Sequence, residues 1–278
     1  MKVFSQKKPF LFGLSISVVA IALLDMVYFG VVKIFPGMDS ISMIAISSVA
    51  QLVLGISVLL ISRHTCVAKG WFRVKGTVNG LLMGWLAILY AVGMSLITTI
   101  NMPPEYWIVP KPWPLFVLVA VAFTTGLFEE VLVRGLVLNV LLNKMSDTRK
   151  SIIKACWVSS MLFGVLHLFN LTTGAGVIET VGQVIYATFV GVFLAAIYIR
   201  TKSLWPSIIL HAVIDLPDYI FGAFVSSQAI EETAQQQAAQ GTLEIIISTL
   251  ILVALSSLCL IVAFILLRRK KIDEAVLV

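Results

Sequence analysis

Charged residues are scarce in this sequence. They make up 12% of its 278 residues, which is about half of the ~25% that is typical of soluble domains. Histidine and cysteine are also rare, with three of each. So few charges cannot cover the surface of a water-soluble domain of this length. The composition therefore excludes an ordinary soluble enzyme.

The cysteines give no support to a disulfide or to a cysteine zinc site. Cys66, Cys156 and Cys259 are far apart in the sequence and show none of the short paired spacings that such sites use. Any chemistry in this protein is expected to come from other residues.

Long apolar runs are what the sequence has in abundance. Hydrophobic residues make up 59% of it, the mean hydropathy is +1.02, and the runs approach the ~20 residues that cross a bilayer core. They are continuously apolar, unlike the ~10-residue alternating segments of a membrane barrel. The pattern predicts an all-α fold, a polytopic membrane helix bundle of about eight transmembrane helices with an intramembrane polar cavity. The expected spans are 10–35, 40–62, 79–100, 115–142, 152–170, 177–199, 203–225 and 242–267.

The basic residues predict the orientation of these spans. Nearly all of the 20 lysines and arginines lie at the N-terminus or in the loops after even-numbered spans. Lys33 and Lys111 alone lie on the opposite side, and Arg134 lies within the fourth span. Because cytoplasmic loops carry the excess of basic residues, both termini are expected in the cytoplasm. The net charge of +6 is then explained by the orientation of the spans in the membrane. The expected partner is the lipid bilayer, and no binding of nucleic acid is expected. The first span lacks a small-x-small cleavage site, so we expect it to be retained.

Ionisable residues inside apolar spans are the informative exceptions. On insertion scales a charged residue at a helix centre costs ~2.5–3.5 kcal/mol, so each one needs a reason. They include Glu129, Glu130 and Arg134 in the fourth span, His167 in the fifth, and His211 and Asp215 in the seventh.

Helical spacing separates the two glutamates. Glu130 and Arg134 are four residues apart, with the acid first, which favours an ion pair on one helix face. Such a pair is also a common structural clip. Glu129 points ~140° away from Arg134 around an ideal helix. In a wet cavity shared with His167 and His211, Glu129 would be free to act as a general base on water.

The remaining polar residues are interpreted from their positions. His211 and Asp215 are four residues apart, so Asp215 would orient the imidazole or share a site with it. Asp25 in the first span is interpreted as either a helix-packing or a cavity residue. Asn170 and Asp218 lie near the predicted outer ends of their spans, where solvation is sufficient to explain them.

Three motifs in the same order resemble the CPBP family of intramembrane proteases, which includes the CAAX prenyl endopeptidases and the Abi proteins of the bacteriocin-immunity type. Each motif is short, but all three are correctly spaced on membrane spans. The resemblance covers about residues 115–220. The motifs are Glu129-Glu130-x-x-x-Arg134, Phe163-x-x-x-His167 and His211-x-x-x-Asp215.

The resemblance implies hydrolysis of a peptide bond in a membrane-embedded or membrane-tethered substrate. It implies that Glu129 and His167 activate a water, while His211 and the residue at 215 stabilise the oxyanion. Glu130 is included in this catalytic set. Where the CAAX enzymes carry Asn, this chain has Asp215, and an ionised carboxylate cannot donate a hydrogen bond. Asp215 would then be protonated, or orient His211, or mark a different activity.

The resemblance leaves the metal requirement open. The family has been described both as metal-dependent and as glutamate-dependent without metal. Glu129, His167 and His211 would match a zinc ligand set, so zinc is a possible cofactor and none is certain.

The same resemblance divides the chain into three segments and suggests its location. These are 1–114 with about three N-terminal transmembrane helices, 115–225 with the catalytic core helices, and 226–278 with an outer polar loop, the last transmembrane helix and a basic cytoplasmic tail. We expect an integral protein of a bacterial cell membrane.

Two other functions are alternatives to a protease. A non-catalytic membrane scaffold, such as an immunity or regulatory protein, is suggested by the Asp at position 215. A proton-coupled transporter also uses Glu, His and Asp relays. It would show a second, symmetry-related set of interrupted spans, and the sequence contains no such internal repeat.

Overall fold

The computed structural model describes residues 1–65, 71–145 and 148–268. Throughout this part of the chain the regular structure is helical, and the predicted all-α membrane bundle is confirmed. Cys66, Lys69 and the basic cluster at 269–271 lie outside the described residues.

The helices are numbered in chain order. The N-terminal half contains α1 (Lys2–Lys7), α2 (Pro9–Ile34), α3 (Ser40–Thr65), α4 (Thr77–Met83), α5 (Trp85–Asn101), α6 (Pro112–Glu130), a π-helical segment (Val131–Leu138) and α7 (Asn139–Lys144). The C-terminal half contains α8 (Arg149–Leu166), a 3₁₀ segment (His167–Thr173), α9 (Val177–Thr201), α10 (Trp205–Ile220), α11 (Ser227–Ala238) and α12 (Thr242–Leu266). Short 3₁₀ turns lie at Pro104–Tyr106 and Phe221–Ala223.

The structure does not confirm the number of eight spans. Among the described residues, six helices are long and apolar enough to cross a membrane, or seven if α4 and α5 count as one broken span. The third predicted span, 79–100, is wrong as a continuous helix, because α4 and α5 meet at Gly84 with a bend of 59°. The seventh predicted span corresponds to α10, whose 16 residues reach about 24 Å, less than the ~30 Å of a bilayer core.

Although α10 is short, it connects the two ends of the bundle. At its start, Leu204 N–H donates to the backbone oxygen of Trp71 at 2.6 Å. Beyond its end, the backbone oxygen of Phe224 accepts from Ile108 N–H at 2.8 Å. The polar residues of α10 are therefore held between two loops at opposite ends of the molecule.

The centre of the bundle is formed by the α6–α7 rod and α9. About two thirds of the most apolar 18-residue stretch of the rod Pro112–Lys144 is buried, whereas the corresponding stretches of α2, α3 and α12 are only about a fifth buried. The exposed faces of the outer helices carry large apolar side chains such as Met26, Leu52 and Leu250. This is the arrangement expected of helices that contact lipid on one side and protein on the other.

The rod changes from α to π geometry immediately after the two adjacent glutamates. All eight residues of Val131–Leu138 are buried, including Arg134. A π-helix is wider than an α-helix and occurs frequently at functional sites. The widened segment places a charged side chain at the centre of the protein.

Candidate active site

A close helix contact brings α10 onto α6. A Cβ added at Gly126 would lie 2.9 Å from the backbone oxygen of Ile208 and 3.1 Å from the backbone nitrogen of Ala212. It would also lie 3.4 Å from Cβ of His211. Glycine at this position therefore lets the two backbones approach, and the approach brings His211 to the glutamates one turn further along α6.

His211 lies between three carboxylates. Its Nδ1 is 2.8 Å from Oε1 of Glu130, and its Nε2 is 3.3 Å from Oε2 of Glu129 and 3.7 Å from Oδ2 of Asp215. Since the Glu130 carboxylate is paired with Arg134 and acts as an acceptor, we assign the proton on Nδ1 to this hydrogen bond. The opposite nitrogen, Nε2, then faces Glu129 and Asp215.

Glu130 and Arg134 form the contact that their spacing predicts. Nη1 of Arg134 donates to Oε1 of Glu130 at 2.7 Å, and both side chains are fully buried. Arg134 also donates from Nη2 to the backbone oxygen of Gly191 at 2.8 Å. Its guanidinium carbon lies 5.1 Å from the ring centroid of Phe163, which is within cation–π range. The arginine thereby ties the rod to α8 and α9.

His167 begins the 3₁₀ segment at the end of α8. Its Nδ1 is 3.0 Å from the backbone oxygen of Phe163. A carbonyl oxygen only accepts, so Nδ1 carries the proton and Nε2 keeps a lone pair. The ring of Phe163 packs edge-to-face against both His167 and His211, with centroid separations of 4.9 and 5.8 Å. One aromatic ring thus positions both imidazoles.

Four of the predicted catalytic residues line one cavity of about 720 Å³. They are Glu129, His167, His211 and Asp215. Glu130, the fifth, does not line this cavity and lies behind His211, where it contacts Nδ1. An intramembrane polar cavity was expected from the sequence, and these four polar side chains line a cavity within the helix bundle.

Two polar residues that the sequence suggested were simply solvated also belong to this cavity. Asn170 and Asp218 both contribute to its wall, and Nδ2 of Asn170 donates to Oε1 of Gln183 at 2.8 Å. Asp218 is exposed, as expected near a span end, and Asn170 is partly buried; both residues also line the cavity, which extends along α10 and the 3₁₀ segment.

Other cavity residues were missed at the sequence level. Gln51 accepts hydrogen bonds from the hydroxyls of Thr124 and Thr125 at 2.9 and 3.1 Å. A glutamine within the apolar helix α3 is a signal that could have identified it. The tyrosines gave no comparable signal, because aromatic residues are ordinary in membrane helices. They are Tyr90, Tyr186 and Tyr219.

A second, smaller cavity lies on the other side of Glu129. Its volume is about 120 Å³, and Asp25, Glu129, His167 and Asn170 supply its polar lining. Asp25, for which packing and cavity roles were both open, is therefore a cavity residue. The two cavities share Glu129, Phe163, His167 and Asn170.

The proposed zinc ligands do not form a metal site in this arrangement. In the described ranges, no group of three or more His, Cys, Asp or Glu side chains is arranged to hold a metal ion. The imidazole of His211 has carboxylates near both ring nitrogens, while Nδ1 of His167 contacts a carbonyl. The possible zinc site of Glu129, His167 and His211 therefore stays a prediction, with no ready-formed three-ligand group among the described residues to support it.

Comparison with known proteins identifies the segment that contains these residues. Residues 111–217 match the family model described as type II CAAX prenyl endopeptidase Rce1-like. This segment is less than half of the chain and contains all three motifs. No curated protein and no solved structure matches the chain. The resemblance to the CPBP proteases is confirmed.

Proposed function

We propose that this integral membrane protein, whose residues 111–217 form an Rce1-like domain of the CAAX-type intramembrane proteases, hydrolyses a peptide bond in a membrane-associated protein or peptide. The observation that carries the proposal is the shared cavity of about 720 Å³, lined by Glu129, His167, His211 and Asp215. Peptide hydrolysis needs an activated water and a donor for the developing oxyanion, and these residues supply both.

In the proposed mechanism, Glu129 and His167 activate the water. Both side chains line the cavity, and Nε2 of His167 has a lone pair to accept a hydrogen bond from that water. Glu129 takes the proton as the water oxygen attacks the scissile carbonyl carbon. The proton then passes to the leaving amine, so that each peptide bond broken consumes one water molecule.

His211 is proposed to stabilise the oxyanion. When protonated, its Nε2–H donates into the cavity near Glu129, from which it is separated by 3.3 Å. Glu130 accepts from the opposite nitrogen and is therefore a positioning residue. Asp215, with Oδ2 3.7 Å from Nε2, is best placed to orient the ring, so we favour that role among the three alternatives for this residue.

The first test is a cleavage assay. Purified protein in liposomes is expected to cleave a membrane-tethered peptide, and His167→Ala is expected to lower kcat by about 10²–10³-fold, within the range for loss of a positioned acid–base group. Cleavage products would be identified by mass spectrometry. His64→Ala is the matched control, because His64 is exposed in the last turn of α3.

Two outcomes would contradict this function. One is no cleavage of any tethered peptide by folded protein, and the other is equal activity of His167→Ala and the wild type. Either would favour the scaffold alternative, for which the Asp at position 215 is the motivating observation.

Chelation tests the metal-free form of the mechanism. Cleavage is expected to be unchanged by EDTA or 1,10-phenanthroline, because the described His and carboxylate side chains do not form a three-ligand site. A zinc protease assayed in the same liposomes controls for chelator access. Loss of activity on chelation that added zinc restores would show metal dependence.

A further inference from the structure

Asp25 is an ionisable residue in the middle of an apolar helix. It lies nine residues before Ile34, the last residue of the 26-residue α2, and therefore about 14 Å from that end. Among the described residues, its carboxylate has neither a hydrogen bond nor an ion pair. A carboxylate at this depth is costly unless it has polar surroundings.

The polar surroundings of Asp25 are those of the smaller cavity. Its volume of about 120 Å³ is several times the roughly 30 Å³ that one water molecule occupies in the liquid. Asp25, Glu129, His167 and Asn170 all line it. A buried water needs two to four polar partners, and these four side chains provide them. The cavity is thus both large enough and polar enough to be hydrated.

Glu129 lines both cavities, so one cavity can hold the substrate while the other holds water. A peptide bound in the larger cavity would displace water from it, yet hydrolysis consumes one water per bond. The smaller cavity contacts the same Glu129 and His167 from the side of α2. Water there would remain available while the substrate occupies the other side.

We propose that the smaller cavity is a hydrated passage that supplies the hydrolytic water to Glu129, and that Asp25 keeps it hydrated. The inference rests on the proposed protease function. The cavity is lined by Ile21, Leu24 and Asp25 of α2 on one side, and by Glu129 with the 3₁₀ residues His167, Phe169 and Asn170 on the other. Asp25 acts through water on the reacting groups, and is thus a positioning residue.

Thiol labelling tests the hydration without any proteolysis. Leu24→Cys lines the passage, whereas Met26→Cys is 68% exposed on the outer face of the same helix and serves as the control. Both are made in a Cys66→Ala, Cys156→Ala, Cys259→Ala background. Thiols react as thiolates, which form in water and not in lipid. A charged methanethiosulfonate is therefore expected to label Leu24→Cys at least tenfold faster than Met26→Cys, and adding Asp25→Leu should remove the difference.

Kinetics test the supply of water. Asp25→Leu is expected to lower kcat on the order of tenfold with KM unchanged, because the substrate binds in the other cavity and only the hydrogen-bonded water is lost. Asp25→Asn should restore most of kcat, since an amide also binds water. Met26→Leu is the control for a change on the lipid side.

The labelling and kinetic experiments distinguish failure of the hydrated passage from failure of the proposed protease function. Equal labelling of Leu24→Cys and Met26→Cys in an active enzyme would overturn the hydrated passage and leave the protease function intact. An unchanged kcat in Asp25→Leu would overturn the supply of water. If the folded Leu24→Cys protein is labelled but neither it nor the wild type cleaves any peptide, the proposed function would be overturned, and the supply role with it.

Discussion

Glu129→Gln is expected to lower kcat by about 10²–10⁴-fold, the usual effect of removing a general base. The amide has nearly the same shape and can still contact Nε2 of His211, from which Glu129 Oε2 lies 3.3 Å away. It cannot accept the proton of the attacking water. Single-turnover cleavage of a membrane-tethered peptide in liposomes would measure the change, with KM expected to stay near the wild-type value.

The matched control for this variant is Glu105→Gln. Glu105 is exposed in the turn Pro104–Tyr106 and does not line the cavity. Equal kcat for Glu129→Gln and the wild type would rule out Glu129 as the base. In cells, a phenotype that Glu129→Gln retains would identify the scaffold function instead.

Arg134→Met is expected to lower the free energy of unfolding by about 3–5 kcal/mol, the effect of removing one partner of a buried ion pair. Glu130 is fully buried, and its Oε2 has no hydrogen-bond partner among the described residues. The carboxylate would then depend on Nδ1 of His211 alone. The backbone oxygen of Gly191 would also lose its donor. Reversible unfolding in mixed micelles would measure the loss.

Two further variants make this prediction specific. Arg63→Met removes an exposed arginine of α3 and should change the stability by less than about 0.5 kcal/mol. The double variant Glu130→Gln, Arg134→Met should recover part of the loss, because it removes the unpaired charge. If Arg134→Met and Arg63→Met were equally stable, the ion pair would not be important for the fold.

The candidate site could largely be named from the sequence because membranes penalise polar residues. Within continuously apolar spans, Glu129, His167 and His211 stand out individually, and their i,i+4 neighbours Arg134 and Asp215 follow from helical geometry. The same reasoning overlooked Tyr90, Tyr186 and Tyr219, since tyrosine in a membrane helix is too common to be informative. It also did not place Asn170 and Asp218 on the cavity wall, because span ends alone do not reveal how far a cavity extends.

The helical periodicity of the sequence was less reliable for the shapes of the spans. Hydropathy does not report the bend of 59° between α4 and α5, because both helices are apolar. Hydropathy also gives no sign of the π geometry of Val131–Leu138, because that geometry depends on how the rod packs against its neighbours. The seventh expected span became the short α10, in which Pro217 and two aspartates interrupt the apolar run.

By itself the sequence determined that this chain is a helical membrane protein and which ionisable groups lie inside it, because the transfer of polar groups into lipid has a large and local energetic cost. Only the tertiary structure decided how those groups pair. The approach of α10 to α6 at Gly126 directs one nitrogen of His211 to Glu130 and the other to Glu129 and Asp215. It also decided that Asp25, more than a hundred residues earlier in the chain, shares a cavity with Glu129. Such contacts depend on the packing of helices that are distant in sequence, and spacing within one helix carries no information about them.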